Sequence, residues 1–423
     1  MKQEAQYDLV EELSPEETAA LLTMSDSFIQ ETVHMSRHYV GCAHHPNVID
    51  STRWKRVARF RNLFMYEERR KRWSRGSSNR NSTRKLGSRL ADYDVAADDV
   101  RLLPATLMVG TFPGDLESVM FGLQSCTEDA TRLRASCLGD NIVDERLLVA
   151  PLESSGVEDP LHSCTLRWRG LRYGAALASG TIFRSRSMET VYIESTGITR
   201  LDDGERVGYE LLQSVTVPDL GGNGRLERKQ AVISFCYVYR QPSPDVVEVF
   251  MLGSTSRDGV LLGGALAKMH SLHRVMRCAE LKKLAWLLNS SNPTLSNSKG
   301  GGCCAECFRS FSRWPHRAER QCSACDERVC ASCTAYRQMR FAQPCRRKVT
   351  SAKLAFCGRC LRRAEETSPV MIAVYEAIED GKHLSRSHFD TINSSQPPLS
   401  HSSNWSKNCL EIDDELVMTI LGD

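Results

Sequence analysis

Four Cys-x-x-Cys pairs, Cys304/Cys307, Cys322/Cys325, Cys330/Cys333 and Cys357/Cys360, fall within 57 residues of a 423-residue chain. Ten of the 17 cysteines lie between Cys303 and Cys360, and the other seven are spread over 365 residues. Two thiolates three positions apart in a tight turn point at one ion, and two such pairs complete a tetrahedral all-sulfur shell. Four pairs therefore hold two ions. Zinc is the expected metal, because it is redox-silent and a closed shell of four cysteines is a structural site. An iron–sulfur centre usually shows different cysteine runs. Disulfides need an oxidising compartment, and the charged start MKQEAQYDLVEELSPEE has no apolar leader. Few large apolar residues lie between Cys304 and Cys360, so the ions must contribute most of that segment's folding free energy.

The gaps between the pairs are fourteen, four and twenty-three residues. Four residues are too few for the second and third pairs to sit in separate knuckles. The spacing suits a cross-brace: Cys304, Cys307, Cys330 and Cys333 on the first zinc, and Cys322, Cys325, Cys357 and Cys360 on the second. Cys303 and Cys345 are then spare.

Elsewhere the chain has the make-up of a folded protein, 41% hydrophobic and 25% charged. Its 55 Lys and Arg against 52 Asp and Glu argue against a whole-chain nucleic-acid binder. Ser14-Pro15-Glu16-Glu17 reads as a capping box opening a helix to about Arg37, with Leu21, Met24, Phe28, Thr32 and Met35 on its apolar face. Residues from Trp54 to Tyr66 read as short strands. The run Arg69-Arg70-Lys71-Arg72 fits either a solvated insertion loop or a nuclear localisation patch. Asp202-Asp203-Gly204 and Pro242-Ser243-Pro244-Asp245 mark two hairpins, hence antiparallel strands. A long helix from Leu261 to about Leu288 is expected to cover the sheet. The fold class is therefore α+β. Ser368 to Glu379 reads as a short helix, and Glu411 to Leu421 as an acidic and apolar terminus.

Cys304-x-x-Cys307, Phe311-Ser312, Cys322-x-x-Cys325, Val329-Cys330-x-x-Cys333 and Cys357-x-x-Cys360 together resemble the FYVE family of zinc fingers. That resemblance implies recognition of phosphatidylinositol 3-phosphate on endosomal membranes, through a basic strand before the third cysteine. Here that strand is Arg317-Ala318-Glu319-Arg320-Gln321, without the family's His pair, and no Trp-x-x-Asp precedes the first cysteine. Arg317 and Arg320 are the candidate phosphoinositide contacts. Glu319 would face a phosphate with the wrong charge.

The segment 54–68, then Ser195-Thr196-Gly197-Ile198, Gly204-Glu205-Arg206-Val207-Gly208-Tyr209 and Ser214-Val215, resembles the START-like (helix-grip) domains that precede a FYVE-type finger in oomycete proteins. The resemblance covers about 10–292, with 69–98 as an insertion. It implies an antiparallel sheet around a long last helix and a tunnel for one apolar lipid, faced by Leu266, Met269, Leu272, His273 and Met276. The alternative is that this stripe fills a solid core. The remaining boundaries are a Gly/Ser linker at 293–302, the finger at 303–364 and a mostly disordered tail at 365–423. No GxSxG, HExxH, P-loop or GxGxxG is present, so no enzyme is expected. The expectation is a cytoplasmic lipid-binding zinc protein, peripheral on endosomal membranes. Its rival is a signalling adaptor whose finger binds protein.

Overall fold

The computed structural model describes residues 13–41, 49–69, 105–139, 142–153, 159–176, 182–215, 232–255, 263–290, 302–312, 318–343 and 348–378. Nearly all of the insertion, the linker up to 301, Cys345, Arg317 and the terminus 411–421 lie outside them.

Helix α1 (Pro15–Ser36) starts at the expected capping box, with the Ser14 hydroxyl accepting from the Glu17 amide and the Glu17 carboxylate accepting from the Ser14 amide. Its buried line is Ser25, Ile29, Thr32, Val33 and Ser36. That line lies one position round from the expected stripe, because the two serines let the helix approach the sheet while Phe28 and Met35 pack at its flanks. Strands β1 (Trp54–Phe60), β2 (Leu63–Glu68) and β3 (Thr106–Pro113) precede α2 (Leu116–Leu123) and α3 (Glu128–Leu138). Asp115 and Thr127 cap these helices, and Gly139 closes α3 at φ 66°, where a side chain would be strained.

A meander follows: β4 (Ile142–Glu153), β5 (Ser163–Ala176), β6 (Ile182–Arg200), β7 (Arg206–Ser214), β8 (Ile233–Ser243) and β9 (Val246–Thr255). All nine strands form one antiparallel sheet, ordered β1-β2-β3-β9-β8-β7-β6-β5-β4. The two hairpins fall where the turn residues place them. The long-range closure pairs β3 with β9, from Thr106 opposite Gly253 to Pro113 opposite Val246.

Both faces of the central strands are buried. Cys236, Val238 and Phe250 point to α1, whereas Tyr237, Tyr239, Val249 and Met251 join α2 and the long helix α4 (Gly263–Ser290). Consecutive strand residues thus enter opposite cores, as period-two side chains require. Helix α2 reaches α4 at Gly122, where a Cβ would stand 2.6 Å from the Val275 carbonyl oxygen. This is an α+β helix-grip arrangement, with one long helix held against an antiparallel sheet. Among the described residues no helix is long and apolar enough to cross a membrane.

The C-terminal module contains a short hairpin, β10 (Glu319–Gln321) with β11 (Arg328–Cys330), and a long one, β12 (Thr334–Gln343) with β13 (Lys348–Cys357). Helix α5 (Gly358–Glu366) and helix α6 (369–378) follow.

Candidate metal centre

The structure brings the eight cysteines into two groups of four. Cys304, Cys307, Cys330 and Cys333 form one, and Cys322, Cys325, Cys357 and Cys360 the other, with sulfurs in each group within 4.8 Å of one another. The sequence order is interleaved, pairs one and three sharing a centre and pairs two and four the other. Across the pairs, Cys307 Sγ stands 3.8 Å from Cys330 Sγ, and Cys325 Sγ 3.9 Å from Cys357 Sγ. A tetrahedron with metal–sulfur bonds of about 2.3 Å has edges of about 3.8 Å. Disulfide sulfurs would be about 2.05 Å apart.

Backbone geometry explains why each pair converges. The Phe308 amide donates to the Cys304 carbonyl at 2.9 Å, and the Asp326 amide to the Cys322 carbonyl at 2.9 Å. Phe308 and Asp326 both adopt positive φ, 59° and 58°. The Cys304 amide in turn donates to the Arg309 carbonyl at 2.9 Å, and the Cys322 amide to that of Glu327 at 3.0 Å. Two knuckles are thus built on one pattern. The third and fourth pairs bracket the long hairpin, whose register sets Thr334 opposite Cys357.

Electrostatics supply a reason for cations. Burial opposes ionisation of Cys304, yet the amides of Cys307, Cys330 and Glu306 donate to its sulfur and bring the thiol down to about 6. In the second group, hydrogen bonds from Cys325, Cys357 and Cys360 hold Cys322 far below the ordinary thiol range. The same crowding pushes Cys360 far above it. Left alone, four such sulfurs cannot all carry charge, whereas a divalent ion lets every one ionise. The Cys357 and Cys360 amides already donate to Cys322 and Cys357 sulfurs, at 3.3 and 3.4 Å. Four soft, half-buried to buried cysteine sulfurs gathered within 4.8 Å of one another fit zinc.

Supporting residues were not legible from the cysteine pattern. The Glu306 carboxylate, inside the first knuckle, accepts from the Gly358 amide at 2.9 Å and so ties that knuckle to the start of α5. Arg359 donates to the Ala305 carbonyl at 3.0 Å. Cys303 is exposed and outside both groups. Arg320 is exposed on β10, its guanidinium donating to the Glu319 carbonyl at 3.1 Å. The Glu319 carboxylate is held by the Arg328 guanidinium, with Nη2 2.6 Å from Oε2.

The expected tunnel residues sit where α4 meets the sheet. Met269 (0% exposed) and Leu272 (3%) are buried in the core, and Met276 packs against it. His273 is half-buried, its ring edge-on to Phe60 and Phe112, and burial pushes its pKa down. Leu266 lies on α4, with its side chain outside the described ones. Beside Leu272 is a cavity of about 10 Å³, lined by Arg134, Glu145, Arg169, Glu194, Tyr237 and Ser271 among others. That is room for one water molecule.

Its charged lining is a buried network that the sequence reading missed. Glu194 pairs with Arg134 at 2.9 Å and Arg167 at 2.7 Å, and Glu145 with Arg169 at 2.7 Å. The Tyr192 hydroxyl also donates to Glu145. Burial alone would raise the Glu145 pKa, but Arg169, Arg134 and Arg167 pull it down to about 2. The one available signal was Arg167 and Arg169 alternating on one strand. Period-two reasoning assigns such charges to solvent, and here they face the interior.

No protein-family model matches the chain. No curated protein matches it either. Similar solved structures include human STARD10, at 9% identity over 66% of this chain and 84% of that one, with a TM-score of 0.32. The lipid transfer and protein localization domain of human StarD13 (DLC2) is 12% identical over 57% and 96%, with a TM-score of 0.32. A STAR-related lipid transfer protein of Xanthomonas axonopodis (fragment 25–204) is 10% identical over 53% and 99%, with a TM-score of 0.30. At such similarities the assignment of the fold rests on the strand order and the gripped helix themselves.

Proposed function

We propose that the chain is a non-catalytic, zinc-dependent binding protein. The helix-grip part, about 10–292, holds one apolar lipid, and a FYVE-type finger with two structural zinc ions, 303–364, brings it to a membrane or a partner. The observation that carries the zinc half is the interleaved pair of four-sulfur groups, each within 4.8 Å, with cross-pair contacts of 3.8 and 3.9 Å. The lipid half is supported by what surrounds α4. Met65, Met108, Met120, Met251 and Met269 are buried in one core, with Met276 against it. Thioether side chains are unbranched and repack readily, so an interior rich in them can open around an apolar ligand. In this reading Leu266, Met269, Leu272, His273 and Met276 face the ligand, and each ligand CH₂ buried contributes about 0.8 kcal/mol. Arg317 and Arg320 are the residues offered to a phosphoinositide headgroup. The Arg328–Glu319 pair takes up the carboxylate that would otherwise repel it. The protein is then cytoplasmic and peripheral on endosomal membranes.

A second reading has its own observation. The cavity next to Leu272 measures about 10 Å³ and is lined with ion pairs, far from the several hundred Å³ of a typical ligand pocket. A filled interior suits a signalling adaptor whose finger binds protein. Native mass spectrometry of the purified full chain separates the two. Two zinc ions with a co-purified lipid support the first reading; two zinc ions, no lipid and no flotation with phosphoinositide liposomes favour the adaptor.

A further inference from the structure

Helix α4 belongs to two cores at once. As far as Ala279 it gives Met269, Leu272, Val275 and Ala279 to the helix-grip core. From Leu281 on it gives Leu281, Leu284 and Leu287 to a different one, shared with Cys304, Cys322, Val329 and Phe356 of the metal module. Polar contacts line the same seam. Arg337 Nε on β12 lies 2.7 Å from Glu280 Oε1, and Lys283 Nζ donates to the Glu365 carbonyl at 3.3 Å. Arg340, also on β12, donates to the Ser136 hydroxyl on α3. Beyond the module the chain returns to the grip: Ile372 and Ala373 of α6 are buried in the first core, and the Tyr375 ring stands 6.4 Å from that of Trp286.

The module is therefore built onto the gripped helix. We propose that it is a clamp on α4, through which metal occupancy sets the order of that helix's C-terminal part. The proposal rests on the two-ion reading above. When zinc leaves to a chelator, the ion is replaced by protons on the sulfurs that cannot stay charged together, and no redox change is needed. The module then lacks the ions that hold its knuckles together. Leu281, Leu284 and Leu287 lose their cover, and Glu280 loses Arg337. The helix frays from Ser290 back toward Ala279, where its hold on the interior, through Met276 and Leu272, begins.

The test is hydrogen–deuterium exchange of the full chain under a phosphine reductant, in three states: as purified, stripped by a zinc chelator, and reloaded with zinc chloride. Zinc per chain is counted by native mass spectrometry on the same samples. Amides of residues 281–289 are expected to exchange at least about tenfold faster when stripped and to recover on reloading, while β7–β9 stay slow. The variant R337A, which keeps all eight cysteines, is expected to hold two zinc ions and still exchange severalfold faster over 281–289. Zinc shown to be gone with exchange unchanged, or an equal rise across β7–β9, overturns the clamp alone. A chain that holds no zinc as purified overturns the metal reading and the clamp together.

Discussion

Glu145 is buried with three arginines near it, and its carboxyl is held at about 2. A folded-state value below the unfolded one means that this group stabilises the fold in full at neutral pH. The contribution is then lost as pH falls from about 5 toward 2. From 4.5 to about 2 the shift corresponds to a stabilisation on the order of 3 kcal/mol. Replacing it by Gln strands buried guanidinium charge, at a cost of about 3–5 kcal/mol at pH 7. Urea unfolding of E145Q beside the parent chain should show that gap at pH 7 and see it narrow as pH falls toward 3. A gap independent of pH would contradict the assignment. Cysteine pairing is tested at the same scale. In the interleaved arrangement Cys307 and Cys333 serve one ion, so the double variant C307S/C333S should retain one zinc ion per chain in a native mass spectrum. Were neighbouring pairs to share ions, each shell would lose one ligand and neither ion would be held fully.

At the scale of elements, local chemistry was legible in the sequence and long-range assembly was not. The capping box of α1 lies within four residues, so Ser14 and Glu17 were readable directly. Ser14→Ala should lower stability by about 1 kcal/mol in thermal unfolding. The buried line of α1 was read one position off, because apolar periodicity favours Leu21 and Met24 over the small Ser25 and Ser36 that permit close approach. Helix α4 was legible as an amphipathic stripe, but its division between two cores was not. Leu284 and Leu287 read like a continuation of Met269 and Leu272, although they are buried by a module whose eight grouped cysteines lie 17 or more residues further on. Leu284, fully buried, should cost about 2–5 kcal/mol on truncation to Ala. Under the clamp proposal that loss should also weaken zinc retention in a chelator competition, whereas a purely local role would leave metal affinity unchanged.

At the scale of the whole molecule, the cysteine sites were the most legible feature because ligand spacing is local and metal geometry permits few solutions. The closure of the sheet through β3 and β9 joins residues about 140 positions apart. The Arg134, Arg167, Arg169, Glu145 and Glu194 network collects charges from α3, β4, β5 and β6. The first leaves no local pattern to read, and the second leaves only the Arg167 and Arg169 alternation, which on its own points to solvent. In the proposed function two zinc ions, each held by four sulfurs, organise the C-terminal module. X-ray absorption at the zinc edge of the purified full chain measures that shell directly. Four sulfur neighbours per zinc at about 2.3 Å are expected, with no nitrogen or oxygen in the shell. A shell containing nitrogen or oxygen, or a purified chain that gives no zinc edge, would contradict the proposal.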